Sequence, residues 1–111
     1  MCYNTRNIQK VHIMLSVEEI LQYLKEYKTL KKDKYSIRKM GIFGSYARDE
    51  AEPQSDIDIV VDFEKADIYN QISIMQELEK KFDKHVDVIA LWKRINPKLL
   101  SRIEKDVIYV W

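Results

Sequence analysis

Two aspartates, Asp56 and Asp58, lie two residues apart at the start of the segment DIDIVVDF, which alternates acidic and apolar residues before two valines. Such alternation predicts a β-strand, on which both carboxylates leave the same face with Cα atoms roughly 6–7 Å apart. Carboxylates this close repel each other unless a cation neutralises them, and Mg²⁺ is typically held by one or two carboxylates and substrate phosphates. An isolated Asp-x-Asp pair is more often a solvated strand edge, so the surrounding residues must decide.

The residues upstream of this pair suggest a phosphate site. Gly44 and Ser45 precede Asp56 by ten intervening residues, and Gly41 is the only other glycine in the chain. Because glycine lacks a Cβ, Gly44 allows a sharp turn and the close approach of a ligand. Helix-forming residues follow Ser45, and the N-terminus of a helix favours anions such as phosphate. A Gly-Ser pair alone is a weak signal, but its spacing from Asp-x-Asp is specific.

This arrangement resembles the minimal nucleotidyltransferases of the DNA polymerase beta-like superfamily, whose pattern is Gly-Ser, about ten residues and Asp-x-Asp. The resemblance runs from the helix at Ser16 to the end of the chain. It is sharpest from Gly41 to Phe63, where GSYAR and SDIDIVVDF have the form found in small stand-alone members. It implies a polymerase beta-like nucleotidyltransferase fold in a single domain, residues 1–111.

The family pattern also includes a third carboxylate on a later strand, for which Asp87 in HVDVIAL is the candidate. An aspartate between apolar neighbours is costly to bury unless it is paired or binds a cation, and a hydrogen-bonded structural aspartate is the alternative. The resemblance implies that Asp56, Asp58 and Asp87 are the catalytic and metal-binding residues and hold two Mg²⁺ ions. Asp87 would also help to remove the proton from the acceptor hydroxyl.

The resemblance further implies that Gly44 and Ser45 hold the terminal phosphates of a nucleoside triphosphate, ATP, while the acceptor hydroxyl attacks the α-phosphorus and pyrophosphate leaves. Arg48 lies one helical turn after Ser45, where it could reach the triphosphate or pair with a nearby acid. Asp49 stands where small members often have glycine. Aspartate tolerates left-handed backbone better than most residues, so we expect the turn to survive, but its charge would weaken triphosphate binding.

A chain of 111 residues has little room for an acceptor-binding domain, so a partner is expected to supply the acceptor. Stand-alone minimal members are similar to the antitoxins of two-gene toxin–antitoxin systems, whose partner is a HEPN-domain ribonuclease toxin. This implies transfer of AMP from ATP to a tyrosine of the toxin. Two alternatives stay open, namely a small-molecule or RNA acceptor, and a non-catalytic antitoxin that acts by binding alone.

Composition argues against several other classes of protein. The 19 basic and 18 acidic residues give a net charge of +1, which does not support general affinity for nucleic acid or membranes. Cys2 is the only cysteine, and neither His12 nor His85 has a histidine or cysteine partner at ligand spacing, so no zinc site is expected. His85 does neighbour Asp87. No apolar run approaches the roughly 20 residues of a membrane span and no secretion signal is evident, so we expect a cytoplasmic protein.

The elements that position these residues are predicted to form a small α/β (α+β) domain with a mixed sheet packed by helices. Ser16 and Glu19 predict a capping box that opens a helix running to about residue 30. The segments YSIRKMGIF, DIDIVVDF, HVDVIAL and VIYVW are predicted to form strands. Apolar residues at helical spacing from Ile68 to Phe82 predict a second long helix, and Asn96 begins a short one.

Overall fold

The computed structural model describes residues 15–92 and 94–111, so Cys2 and His12 lie outside the described residues. Its elements are α1 (Val17–Tyr35), β1 (Ile37–Phe43), α2 (Gly44–Ala47), β2 (Ile57–Phe63), α3 (Ile68–Phe82), β3 (Val86–Leu91), α4 (Pro97–Asp106) and β4 (Ile108–Val110). This order confirms the predicted α/β arrangement. Within the described part of the chain, no helix combines the length and the apolar composition needed to cross a bilayer.

The four strands form one mixed sheet in the order β3-β2-β1-β4. β1 pairs antiparallel with both β2 and β4, whereas β2 and β3 are parallel. The register sets Asp58 opposite Phe43 on β1 and opposite Asp87 on β3. Because Gly44 follows Phe43 directly, the Gly-Ser pair and two of the predicted carboxylates meet at one end of the sheet.

The back face of the sheet carries the main hydrophobic core. The alternation along β2 places Ile57, Ile59, Val61 and Phe63 in this core, as the period of two predicts. Helices α1 and α3 cover the face with side chains that recur at helical spacing, namely Ile20, Leu24, Ile74, Leu78 and Phe82. The two helices therefore pack against one face of the sheet. Helix α4 and the candidate site lie on the opposite face.

The front face is less polar than the alternation of DIDIVVDF suggests. Val60 is fully buried there against Phe43 and Ile103, because α4 lies across the middle of this face. Asp62 lies four residues beyond Asp58, roughly 13 Å along the strand, and pairs with Arg38 at 3.8 Å. Asp62 thus lies away from the other carboxylates. The end of the face near Asp58, which is partly exposed, is open.

Helix α1 extends to Tyr35, so the predicted end near residue 30 is wrong. Tyr27 and Tyr35 are buried, and both donate a hydrogen bond to the carboxylate of Glu77 on α3. Ser36 then ends the helix in left-handed conformation with φ 56°. Periodicity along α1 did not indicate its length because Tyr35, in the last turn, is held by a residue on another helix. The last turn of the helix carries the basic residues Lys32 and Lys34, whose positive charge interacts favourably with the negative end of the helix dipole.

Candidate active site

Gly44 lies directly beside the carboxylate of Asp58. Its φ is +75°, and a Cβ added to it would overlap Oδ2 of Asp58 and lie 3.2 Å from Cγ. Glycine is therefore favoured at this position by the backbone conformation and required by the space that Asp58 occupies. Gly41 has a different reason, since its Cβ would lie 2.5 Å from the carbonyl oxygen of Ile108 in β4. Gly44 belongs to the site, and Gly41 belongs to the sheet.

The one-turn helix α2 ends in a Schellman motif that holds the Gly-Ser turn in place. The amide of Glu50 donates to the carbonyl of Ser45 at 2.8 Å, and the amide of Asp49 donates to that of Tyr46 at 3.2 Å. Asp49 takes the left-handed position, with φ 58°, where glycine is usual. The expectation that the turn survives with aspartate is confirmed. Ser45, which is partly exposed, remains in the first turn, where helical amides have no helical partner.

Arg48 joins α2 to the end of α4. Its Nε donates to Oε1 of Glu50 and its Nη1 donates to Oδ2 of Asp106, both at 2.7 Å. Sequence reasoning left open whether Arg48 reaches a triphosphate or pairs with an acid, and the structure contains the second arrangement. The pairing partner Asp106 is far along the chain, and only the packing of α4 brings it close.

The three predicted carboxylates converge at the open end of the sheet. Asp58 lies on β2 in register with Asp87 on β3, and Asp56 stands just before β2 rather than on it. The side chains of Asp56 and Asp87 are 52% and 49% exposed, so a ligand can reach them. Burial raises the pKa of Asp58, and the charges of Asp87 and Asp56 raise it further. The site therefore concentrates negative charge that a cation would stabilise.

His85 completes this group, although the sequence did not indicate it as a ligand. Its Nδ1 lies 3.4 Å from Oδ2 of Asp56 and 3.7 Å from Oδ1 of Asp87. One ligand atom from each of the three residues lies within 4.8 Å of the other two. No second histidine or cysteine was expected near His85 as a metal-binding partner. In the structure its neighbours are instead two carboxylates, those of Asp56 and Asp87. The available signal was the spacing of His85 and Asp87, which would place both on one face of the predicted strand HVDVIAL, although β3 itself begins at Val86.

Arg102 on α4 is a second residue near the site that sequence reasoning missed. Its positive charge, like that of Arg48, opposes the increase in the pKa of Asp58 that burial and the neighbouring carboxylates cause. It precedes Ile103, which packs against Phe43 and Val60 on the front face. Helix α4 therefore brings one cation toward the carboxylates while its apolar side covers the sheet.

Residues 18–111 match the profile of a known family, described as Polymerase beta, Nucleotidyltransferase. The chain belongs to this family. A member from Thermococcus cleftensis, named protein adenylyltransferase MntA, is 33% identical over 98 residues, which span 87% of this chain and 98% of the relative. The nucleotidyltransferase predicted from Gly-Ser and Asp-x-Asp is thereby confirmed.

Solved structures confirm the fold of this nucleotidyltransferase. A crystal structure of a toxin-antitoxin with AMP-PNP has a TM-score of 0.65 at 25% identity, and the match covers 78% of this chain and 70% of the other. A structure of tri-AMPylated Shewanella oneidensis HEPN toxin in complex with MNT antitoxin has a TM-score of 0.57 at 24% identity, covering 81% and 71%. The mixed sheet packed by helices is shared with both.

Proposed function

We propose that this nucleotidyltransferase is the antitoxin of a HEPN ribonuclease toxin and silences it by transferring AMP from ATP to a toxin tyrosine. The observation that carries the proposal is the meeting of Asp56, Asp58 and Asp87 beside the Gly44-Ser45 turn. The name of the similar protein adenylyltransferase, and the toxin–antitoxin complexes among the similar structures, support a HEPN toxin as the acceptor. We place the activity in the cytoplasm, where a ribonuclease meets its RNA.

The donor set of the site fits two Mg²⁺ ions, which Asp56, Asp58 and Asp87 would hold. All three supply hard carboxylate oxygens. Burial, and then the neighbouring charges of Asp87 and Asp56, raise the pKa of Asp58, and a divalent cation would relieve the repulsion among the three carboxylates. A pair of such ions stabilises the attacking and leaving oxygens of an in-line displacement. Asp58, beside Gly44, would bind the ion on the triphosphate side. Asp56 and Asp87 would bind the ion on the acceptor side.

Other groups of the chain would bind the phosphates of ATP and activate the acceptor hydroxyl. The first-turn amides at Gly44 and Ser45 would bind the terminal phosphates. Arg48, fixed by Glu50 and Asp106, would hold that turn in place and add positive charge beside it. Asp87 is half exposed and would accept the proton of the tyrosine hydroxyl. The tyrosine oxygen would attack the α-phosphorus while the bond between the α-phosphorus and pyrophosphate breaks.

Intact-mass spectrometry of a HEPN toxin incubated with this chain, Mg²⁺ and ATP tests the proposal. We expect the toxin to gain one AMP unit or more, and to gain none with Asp58→Asn. Asp62→Asn is the matched control, because Asp62 lies on the same strand and face but pairs with Arg38 instead. It should leave the mass gain unchanged.

Two outcomes of this experiment contradict the proposal. If the toxin is neutralised without any mass gain, and Asp58→Asn neutralises it equally well, the chain is an antitoxin that acts by binding alone. If the toxin is neither bound nor modified while ATP is still consumed with an RNA or a small hydroxyl compound, the acceptor is not the toxin.

A further inference from the structure

We propose that His85 is a ligand of the divalent ion held by Asp56 and Asp87, so that this position binds Mn²⁺ in preference to Mg²⁺. The inference rests on the proposed function, since it concerns the acceptor side of the same site. It adds a nitrogen donor to a site that the family pattern describes by carboxylates alone.

The distances between the three side chains are close to those of ligands around one ion. Two ligands bound at about 2.1 Å and at right angles are about 3 Å apart, and opposite ligands are about 4.2 Å apart. Nδ1 of His85 lies 3.4 Å from Asp56 Oδ2 and 3.7 Å from Asp87 Oδ1. All three ligand atoms lie within 4.8 Å of one another, so small side-chain rotations bring them onto a common ion.

These separations do not suit a direct hydrogen bond between the imidazole and the carboxylates. N–H···O bonds in proteins cluster near 2.9–3.0 Å and rarely exceed about 3.2 Å. At 3.4 Å and 3.7 Å, Nδ1 of His85 is at ion-pair distance from both carboxylates and makes a short hydrogen bond to neither. A cation placed among the three side chains would satisfy the imidazole nitrogen and both carboxylates together.

The backbone holds His85 at this position. Its carbonyl oxygen accepts a hydrogen bond from the amide of Ile57 at 3.1 Å, which is the residue between Asp56 and Asp58. The next amide, of Val86, donates to Oε2 of Glu79 at 3.1 Å. The parallel pairing of β2 with β3 therefore positions the Cα atoms of all three ligands, and only side-chain rotation remains free.

The donor set determines which ion this position prefers. Mg²⁺ favours oxygen ligands, whereas imidazole is a good ligand for first-row transition metals, and Mn²⁺ also accepts carboxylates in octahedral geometry. The side chain of His85 is 59% exposed, so water or a substrate oxygen can complete the coordination. Asp58 lies outside this group of three, against Gly44, and its side of the site keeps the oxygen donors that suit Mg²⁺.

Electron spin-echo envelope modulation of bound Mn²⁺ tests the inference directly, because it detects a nitrogen nucleus coordinated to the ion. The full chain would be measured with and without ATP, and again after labelling its histidines with ¹⁵N. We expect a nitrogen modulation that changes on labelling and disappears in His85→Ala. Mn²⁺ affinity should fall about tenfold in His85→Ala, a loss of the size that weaker perturbations of a metal site already produce, while Asp62→Asn binds normally.

The possible failures of the inference and of the proposed function are distinguishable. Mn²⁺ that binds in an Asp56-dependent manner without histidine nitrogen modulation would overturn the ligand assignment and leave the transferase proposal standing. Absence of Mn²⁺ binding both with and without ATP would count against the two-ion site itself. The spectrum of the unaltered protein decides between them even if His85→Ala does not fold.

Discussion

Gly44 and Asp58 occupy a space that admits either a Cβ on the first residue or a carboxylate on the second, but not both. The two residues lie on different elements, and β1–β2 pairing brings them together because Phe43 is opposite Asp58. The turn proposed to bind phosphate and the carboxylate proposed to bind metal are therefore built against each other. A change on one side of this contact must alter the other.

Gly44→Ala should strongly slow adenylyl transfer for this reason. The added methyl group displaces the Asp58 carboxylate, and the left-handed backbone costs a further 1–2 kcal/mol or so in stability. We expect a decrease in rate of about a hundredfold or more, equivalent to about 2.7 kcal/mol of transition-state stabilisation. Transfer rate and thermal unfolding would be measured together.

Gly41→Ala is the matched control for that variant. Its Cβ meets the backbone of β4 rather than a site residue, so it should lower the melting temperature while the folded fraction keeps its rate. A Gly44→Ala protein that transfers AMP at the normal rate would contradict the proposed coupling between Gly44 and Asp58.

Asp49→Gly should raise both stability and ATP affinity. Asp49 has φ 58°, a conformation that glycine adopts without strain, and we expect about 0.5–1 kcal/mol of added stability. Removing its charge from the end of the turn that contains Ser45 should also lower KM for ATP. Asp49→Asn separates the two effects, because asparagine removes the charge and keeps the side chain. An unchanged KM in both variants would show that the charge of Asp49 does not reach the triphosphate.

Asp106→Asn tests how Arg48 acts. If Arg48 holds the phosphate-binding turn through its bonds to Glu50 and Asp106, weakening the bond to Asp106 should raise KM for ATP severalfold, in the same direction as Arg48→Ala. If Arg48 instead binds phosphate directly, Asp106→Asn releases it and KM should stay the same or fall. Steady-state kinetics of the two variants distinguish the two arrangements.

Glu77 should make the stability of the protein depend on pH at both extremes. Burial tends to raise the pKa of Glu77, but hydrogen bonds from Tyr27 and Tyr35 outweigh it and lower the pKa below its ordinary value of 4.5. Its contribution is thus present above about pH 4.5 and is lost as the pH falls through the lower folded value. Burial raises the pKa of Tyr27, and the hydrogen bond to Glu77 adds to this, so the contribution of Tyr27 is lost as the pH rises above 10.

Chemical denaturation across the pH range would measure this contribution. Glu77→Gln should cost about 1 kcal/mol at pH 7, since the side chain is about a third exposed. The difference from the unaltered protein should shrink toward acid pH. Glu26→Gln, an exposed residue of α1, is the control and should show no such difference. A Glu77→Gln deficit that persists unchanged below pH 3 would contradict the assignment.

Local patterns were sufficient to locate the helices and strands of this chain. The alternation in β2 and the helical spacing in α3 reflect which side of one element is buried, and each is contained within a few neighbouring residues. The predicted end of α1 was wrong because local patterns do not include contacts between helices. The last turns of α1 depend on the hydrogen bond from Tyr35 to Glu77 on another helix. The burial of Val60 on the front face likewise does not follow from the pattern of β2, because it is α4 that covers this residue.

The sequence by itself determined the family, the order of the elements and the positions of Gly44, Ser45 and the aspartates along the chain, since these depend on residue types at fixed spacing. Only the tertiary structure decided which groups meet. It set Asp87 opposite Asp58, brought His85 between two carboxylates and joined Arg48 to Asp106, 58 residues away. Such contacts depend on strand register and on how α4 packs, and neither leaves a periodic pattern among neighbouring residues.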